Sequence, residues 1–323
     1  MRHACVIPIG IGGALPVAGR GFPSFALKRP GGILLFDCGE GTQMRLQETG
    51  LRLSQVKVVF VTHLHGDHFY GLPGLLSTSG LQGRSAPLSI VGPVGTGAIL
   101  DAVPGTRRND LTFDLEVIEL AGASCGDFTY RGDGFVVTAH ELDHGVATFG
   151  YRYEEEASPG ALDADKARRL GVTDHAQFRA LKLGESVEGA SGRPVHSADV
   201  VGPARPGGVF AYVTDTRPCD GGRALSRDAD ILFHDSTFSD EQADRASETG
   251  HSTAREAAEV ARAAGARRLL LAHFSARYKT LEHLVEEARD VFPDTEAAVE
   301  FGRYSLGGIE AGRSVTPLSG GPE

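Results

Sequence analysis

Short, dense apolar runs recur along the chain and set its architecture. Val56 to Val61 is the clearest: it is too short and too rich in β-branched residues for a helix, so it predicts a buried strand that ends at Thr62. Runs of the same kind occupy Leu88 to Val91, Leu115 to Leu120, Phe135 to Ala139, Phe149 to Tyr153, Val209 to Val213, Ile231 to His234 and Leu269 to Ala272. At the N-terminus Met1 to Val6 moves straight into strand-like sequence. Further on, Phe22 to Lys28 and Ile33 to Asp37 flank Pro30-Gly31-Gly32, which predicts a hairpin followed by a short helix. Helical stretches alternate with the strands. The clearest starts at Ser252, an N-cap candidate with Glu256 nearby, and runs to Ala264 before Gly265 ends it; another spans Leu281 to Asp290. Such alternation reads as an α/β fold.

Between Glu154 and Pro206 the pattern changes: strands become hard to find and the sequence is rich in Gly, Pro and charge. We read residues 154–206 as an arm inserted into a domain of residues 1–303, with a flexible surface loop as the alternative. The tail, residues 304–323, with Gly307-Gly308 and Gly320-Gly321-Pro322, reads as weakly ordered.

Composition removes several classes. Hydrophobic content of 41% and charged content of 23% are globular values, and no stretch approaches the roughly 18 apolar residues of a membrane span. No export signal opens the chain. Cys5, Cys38, Cys125 and Cys219 are scattered and form no Cys-x-x-Cys pair, which argues against a disulfide framework or a thiolate zinc knuckle and fits a reducing cytoplasm. A formal charge of −10 argues against general nucleic-acid affinity, so any RNA contact must be local. Bound divalent cations would themselves add positive charge inside an acidic pocket.

The sharpest chemical signal is His63-Leu64-His65-Gly66-Asp67-His68, three imidazoles and a carboxylate directly after a buried strand. At a strand end these side chains can converge, and Gly66 lets the backbone bend. Neutral imidazoles and carboxylates suit zinc, with manganese or another first-row metal as alternatives. A histidine-rich surface turn is the bland reading, and the clustering of a rare residue type speaks against it. A two-metal site needs further ligands from later strand ends. His144 follows a strand, Asp215 ends Phe210 to Thr214, and His273 ends Leu269 to Ala272. A carboxylate just past a buried strand is costly unless paired or metal-bound, which favours Asp215 as a shared ligand. His140 competes with His144, and spacing leaves that choice open. His234 is similarly ambiguous, while His3, His175, His196 and His283 read as surface residues.

The run from His63 to His68 followed by Phe69-Tyr70-Gly71-Leu72-Pro73-Gly74-Leu75-Leu76 resembles ribonuclease Z within the metallo-β-lactamase superfamily. So do Phe36-Asp37-Cys38-Gly39-Glu40-Gly41-Thr42-Gln43, Leu142-Asp143-His144, Thr214-Asp215-Thr216-Arg217, Gly250-His251-Ser252-Thr253 and Ala272 to Tyr278. The resemblance implies an αββα sandwich of two mixed sheets with an inserted flexible arm. It implies two zinc ions, His63, His65 and His144 on one and Asp67, His68 and His273 on the other, bridged by Asp215. It favours His144 over His140 and places His251 near the scissile phosphate. The arm segments Pro159 to Asp163, Leu170 to Val172, Leu181 to Glu185 and Asp199 to Pro203 are similar to the tRNA-gripping arm of that family. The chain departs from the family at Thr173 to Ala180, where the family arm is Gly-Pro-rich. It departs again at Pro16 to Gly21, where Arg20 remains but a Lys and an Asn do not.

The implied activity is a cytoplasmic, homodimeric, zinc-dependent endoribonuclease that cuts precursor tRNA at its 3′ side and leaves a 3′-hydroxyl. Paired metals would make water nucleophilic near neutral pH, with Asp67 orienting it and His251 protonating the leaving oxygen or stabilising phosphoryl charge. For His251, capping and packing at Ser252 is the competing role. In the arm, Lys166, Arg168, Arg169, Arg179, Lys182 and Arg193 could touch phosphates, offset by Asp163, Asp165, Asp174, Glu185 and Glu188. The alternative function is a phosphodiesterase, esterase or sulfatase for small substrates at the same two-metal site. A non-catalytic RNA-binding protein is a third reading, which the intact ligand set disfavours.

Overall fold

The structure, a computed structural model, describes residues 4–122 and 128–306. Two seven-stranded sheets carry the fold. In the first, β1 (Cys5–Gly10), β2 (Ser24–Arg29), β3 (Gly32–Phe36), β4 (Val56–Phe60), β5 (Leu88–Pro93) and β6 (Leu115–Leu120) lie side by side in chain order. β1 to β3 are antiparallel, with β2 and β3 joined by the expected hairpin, and β3 to β6 are parallel. The second sheet is built from β7 (Thr129–Gly132), β8 (Phe135–Glu141) and β9 (Phe149–Glu155). Past the arm hairpin of β10 (Val187–Glu188) and β11 (Pro194–Val195), it continues with β12 (Val209–Val213), β13 (Ile231–Asp235), β14 (Leu269–Ala272) and β15 (Thr295–Ala297), in the order β15-β14-β13-β12-β9-β8-β7. β12 to β15 are parallel, while β12 with β9 and β7 with β8 are antiparallel, so both sheets are mixed.

Alternation sorts the side chains into layers. In β3, Leu34 and Phe36 face the second sheet, while Ile33 and Leu35 join Leu46, Leu72, Leu75, Leu76 and Leu100 on the outer face. Those leucines come from α1 (Thr42–Glu48), α3 (Gly71–Leu81) and α4 (Thr96–Ala102), the helices that cover the first sheet; α2 (Gly66–Phe69) is the short turn between β4 and α3. Burial on both faces is why strands such as β12 and β14 read as unbroken apolar runs. Between the sheets the rings of Phe36 and Phe60 (centroids 5.2 Å apart), Phe60 and Tyr151 (5.1 Å) and Phe36 and Phe210 (5.3 Å) knit the two layers. The result is an αββα sandwich.

Residues Glu155–Gly207 form a compact unit of their own. It contains α5 (Ala164–Arg169), α6 (His175–Lys182), α7 (Ser197–Val200) and the β10–β11 hairpin, around a small core of Ala167, Val172, Leu181, Val195 and Val200. Local capping supports these short helices: the Asp163 carboxylate accepts from Lys166 N at 2.8 Å, and Asp174 from Ala176 N at 3.3 Å.

On the outer side of the second sheet, α8 (Asp220–Ser226) packs on β8 and β12, α9 (Ala243–Thr249) leads into α10 (Ala254–Ala264), and α11 (Glu282–Arg289) lies against α10. The cap of α10 is Thr253, which forms a capping box with Glu256, and Gly265 closes the helix at φ 69°. Ser252, expected to cap, is turned away: its hydroxyl donates to Thr216 O at 2.6 Å. The tail expected to be weakly ordered begins with a paired strand, β16 (Tyr304–Ser305) beside β1, because the Tyr304 ring is buried and its hydroxyl accepts from Val299 N at 3.0 Å. The remainder of that tail, from 307, and Cys125 lie outside the described residues.

Candidate metal centre

Parallel strands bring their C-terminal ends to one edge of a sheet, and it is from such ends that the site is assembled. Asp37 follows β3, Thr62 and the histidine-rich turn follow β4, Asp215 follows β12, Asp235 ends β13 and His273 follows β14. Three of them, Asp37 (φ 60°), Asp215 (φ 50°) and His273 (φ 62°), adopt the left-handed conformation. Asp and His tolerate that region better than most residues, and at a strand end it turns the chain sharply enough to aim the side chain back over the edge.

Among the described residues three groups of ligand atoms result: His63, His65, His144 and Asp215 form the first, Asp67, His68 and His273 the second, and Asp215, Asp235, His251 and His273 a third that overlaps both. Asp215 stands between the first two, its side chain 3% exposed. Its Oδ2 lies 3.6 Å from Nε2 of His63 and of His144, and its Oδ1 lies 3.2 Å from His68 Nε2 and 3.1 Å from His273 Nε2. Within the groups, His63 Nε2 and His65 Nδ1 are 2.9 Å apart, His65 Nδ1 and His144 Nε2 3.4 Å, and Asp67 Oδ2 is 3.6 Å from both His68 Nε2 and His273 Nε2.

Two donors bound to a tetrahedral zinc at about 2.05 Å would stand about 3.3 Å from one another. The observed separations bracket that edge, and the donors are neutral imidazoles and carboxylates of the kind such ions take. A second observation agrees: Nε2 of His68 and of His273 are buried without a hydrogen-bond partner, a costly arrangement unless something else engages their lone pairs. The groups are therefore able to hold metal.

The outward nitrogens of four of these five histidines are engaged. His68 Nδ1 donates to Asp37 at 2.7 Å, His144 Nδ1 to Gly250 O at 2.8 Å, and His63 Nδ1 and His273 Nδ1 meet the hydroxyls of Thr62 (3.0 Å) and Thr237 (2.8 Å). Fixing Nδ1–H leaves Nε2 free to face the centre, whereas His65 presents Nδ1. From the N-terminal side, Ala14 N donates to Asp67 Oδ2 at 2.7 Å, and Gly13 lies so close to the His273 ring that a Cβ there would stand 2.4 Å from its Cε1.

His251 stands beside the centre, its ring centroid 4.9 Å from that of His144 and 5.2 Å from that of His273. Its Nδ1 donates to Asp235 Oδ2 at 2.8 Å. Burial alone would lower its pKa, but the Asp235 carboxylate outweighs burial and raises it to about 9. The competing role as helix cap belongs to Thr253 instead. Although Asp67 is largely buried, which favours the neutral acid, His273 and His68 hold it well below the usual carboxylate range.

Residues 23–273 match the profile of the metallo-beta-lactamase superfamily. Ribonuclease Z of Salinibacter ruber is 51% identical over 302 residues, 93% of this chain and 94% of that protein. The chain belongs to the ribonuclease Z family. Ribonuclease Z of Haloferax volcanii is 44% identical over 90% of both chains. Among solved structures, human tRNase Z, short form, superposes with a TM-score of 0.66 at 29% identity, covering 94% of this chain and 99% of that one. Ribonuclease Z proteins are metal-dependent hydrolases of the metallo-β-lactamase fold, and this chain is an enzyme of that class.

Against this family background, every residue named from sequence for the two groups converges, and His251 lies next to them. His140, the rival of His144, projects from β8 outside both groups, and His234 is buried with its Nδ1 on Asp235 O at 2.9 Å. His175, His196 and His283 are exposed, and His3 lies outside the described residues. Sequence reasoning did not single out Asp37, Asp235, Thr62 or Thr237. Asp37 and Asp235 carry the same signature that pointed to Asp215, a carboxylate closing a buried strand. Both are fully buried and serve imidazoles.

Proposed function

We propose that the chain is a zinc-dependent endoribonuclease that hydrolyses a phosphodiester at the 3′ side of precursor tRNA and leaves a 3′-hydroxyl on the tRNA. The observation that carries this reading is the bridging position of Asp215, one carboxylate with each oxygen turned to a separate histidine group, as a two-cation centre requires. The ribonuclease Z names of the relatives point to the substrate. Bound there by His63, His65, His144, Asp215, Asp67, His68 and His273, a pair of divalent cations would supply Lewis-acid stabilisation of phosphoryl charge and make water acidic enough to react near pH 7.

The chain's own residues divide the remaining work. Asp67, whose side chain is 12% exposed against 3% for Asp215, is the carboxylate that solvent reaches more easily, and it orients the attacking water. Asp235 favours the protonated form of His251 and engages its Nδ1, so Nε2–H is the proton that this ring would deliver to the leaving oxygen. In the arm, Lys166, Arg169 and Arg193 line an open cleft of about 570 Å³ with Asp199 as the only acid among its lining residues, whereas Arg168 is paired with Asp165. A cleft with that excess of cations is suited to backbone phosphates, and it supplies the local positive charge that an acidic protein needs to hold RNA.

A homodimer in a reducing cytoplasm completes the reading. The described cysteines Cys5, Cys38 and Cys219 are free, and among the described residues no helix is long and apolar enough to cross a membrane. The decisive experiment incubates the purified protein with a precursor tRNA, with and without chelator, and maps the product ends. Chelator-sensitive cleavage leaving a 3′-hydroxyl at the tRNA 3′ side is the expected result. Hydrolysis of a small bis-aryl phosphodiester with intact precursor would instead establish the small-substrate activity.

A further inference from the structure

Beneath the metal centre lie two buried carboxylates with matching contacts. Asp37 accepts both the amide (2.8 Å) and the hydroxyl (3.0 Å) of Thr62, and takes the Nδ1 proton of His68 directly at 2.7 Å. Asp235 accepts both the amide (2.9 Å) and the hydroxyl (2.6 Å) of Thr237, and takes the Nδ1 proton of His251 directly at 2.8 Å. In each case the same threonine oxygen touches a second imidazole: Thr62 Oγ1 lies 3.0 Å from His63 Nδ1, and Thr237 Oγ1 lies 2.8 Å from His273 Nδ1.

A hydroxyl has one proton to give. An ionised carboxylate can only accept, so that proton goes to Asp37 or Asp235, and the short 2.6 Å contact at Thr237 has the length of a charge-assisted bond. The carbonyl of His273, 2.9 Å from Thr237 Oγ1, is then left to compete for a proton already committed. What remains on each oxygen is a lone pair, and the neighbouring Nδ1 must be the donor. We propose that Thr62 and Thr237 are positioning residues that lock His63 and His273 in the Nδ1–H form, one for each half of the centre. Each half thus rests on a carboxylate–threonine–histidine relay whose direction is set by the charge of the aspartate.

The relays end on imidazoles of different halves, His63 and His273, although Asp37 also braces His68 and Thr62 Oγ1 lies 3.4 Å from His68 Nδ1, so the tautomers of His63 and His273 are what separates them. Thr62→Val and Thr237→Val keep the shape and the backbone amide and lose only the oxygen. Metal-free protein is examined first, by nitrogen-15 NMR of the imidazoles. His63 should leave the Nδ1–H form in Thr62→Val but not in Thr237→Val, and His273 should do the reverse. Chelator competition with added zinc then reads affinity. Each valine variant should hold one of its two ions about 10- to 100-fold more weakly, the usual effect of losing such a support, and Thr62→Ser and Thr237→Ser should recover it. Valine variants with unchanged tautomers and parental zinc affinity would overturn the proposal. So would serine variants as weak as valine, because the methyl and not the oxygen would then matter. The inference rests on the metal-centre reading, and a parent protein that takes up no zinc would sink that reading separately, while the tautomers, measured without metal, still decide the relays.

Discussion

Gly13 gives the most direct test of how tightly the centre is built. Its backbone φ is not in the left-handed region, so alanine meets no conformational objection, and the substitution acts through space alone. The added Cβ would stand 2.4 Å from Cε1, 2.5 Å from Nε2 and 2.7 Å from Nδ1 of His273, where ordinary contact begins at 3.4 Å. The ring or the Gly13 segment must therefore give way by about 1 Å. The ring is held by Thr237 on one side and faces Asp215 on the other, at 2.8 and 3.1 Å, so it cannot move without abandoning its hydrogen bond or its place in the group. If the segment moves instead, Ala14 N leaves Asp67. A misplacement of that size costs on the order of 100-fold in rate, equivalent to about 2.7 kcal/mol at the transition state. Gly13→Ala should fold and melt close to the parent, bind the second zinc ion more weakly, and lose about 100-fold in kcat/KM on precursor tRNA and on a small bis-aryl phosphodiester alike. Parental zinc stoichiometry together with activity within about threefold of the parent would refute the claim that the His273 ring is pinned.

Three further outcomes follow from the same geometry. In metal-free protein His251 should keep its second proton until the pH reaches about 9, and Asp235→Asn should remove the main support against burial and lower that value. Because the folded value is raised, the pair stabilises the fold fully below the unfolded value of about 6.5 and loses that contribution as pH climbs through about 9, which NMR titration and melting curves both follow. His140→Ala should retain near-parental activity and zinc binding while His144→Ala loses both by at least about 10-fold, and equal effects would contradict the assignment of His144. Deleting residues 155–207, a unit with its own small core, should spare hydrolysis of the small diester and abolish cleavage of precursor tRNA; loss of both activities would mean that the arm supports the fold rather than the substrate.

Much of this was legible in the chain because burial leaves a mark. Strands covered on both faces are apolar along their length, so β12 and β14, and β4 apart from the exposed Lys57, stand out in the sequence and their ends can be searched for ligands. What the chain does not encode locally is which partner a buried carboxylate serves. Asp37, Asp215 and Asp235 look alike as acids closing apolar strands, and only the fold distinguishes the one between two histidine groups from the two that brace imidazoles from below. Choosing between His140 and His144 was the same difficulty, since both lie near the end of β8 and only the path of the turn decides. Helix α3 carries Gly71, Pro73, Gly74 and Gly80, which obscures a helical pattern that packing nevertheless enforces through Leu72, Leu75 and Leu76. The arm helices are four to eight residues long, too short for periodicity to register, and rest on caps and a five-residue core.

The left-handed turns at Asp37, Asp215 and His273 bear on how the enzyme acquires its ions. Each corner is set at the end of a paired sheet strand, by backbone conformation and not by the ligand atoms themselves. Loading would then be governed more by shedding water from the incoming ion than by folding a segment around it. Choice among first-row divalent metals would rest on the geometry and donor set that these corners present, together with the metals on offer.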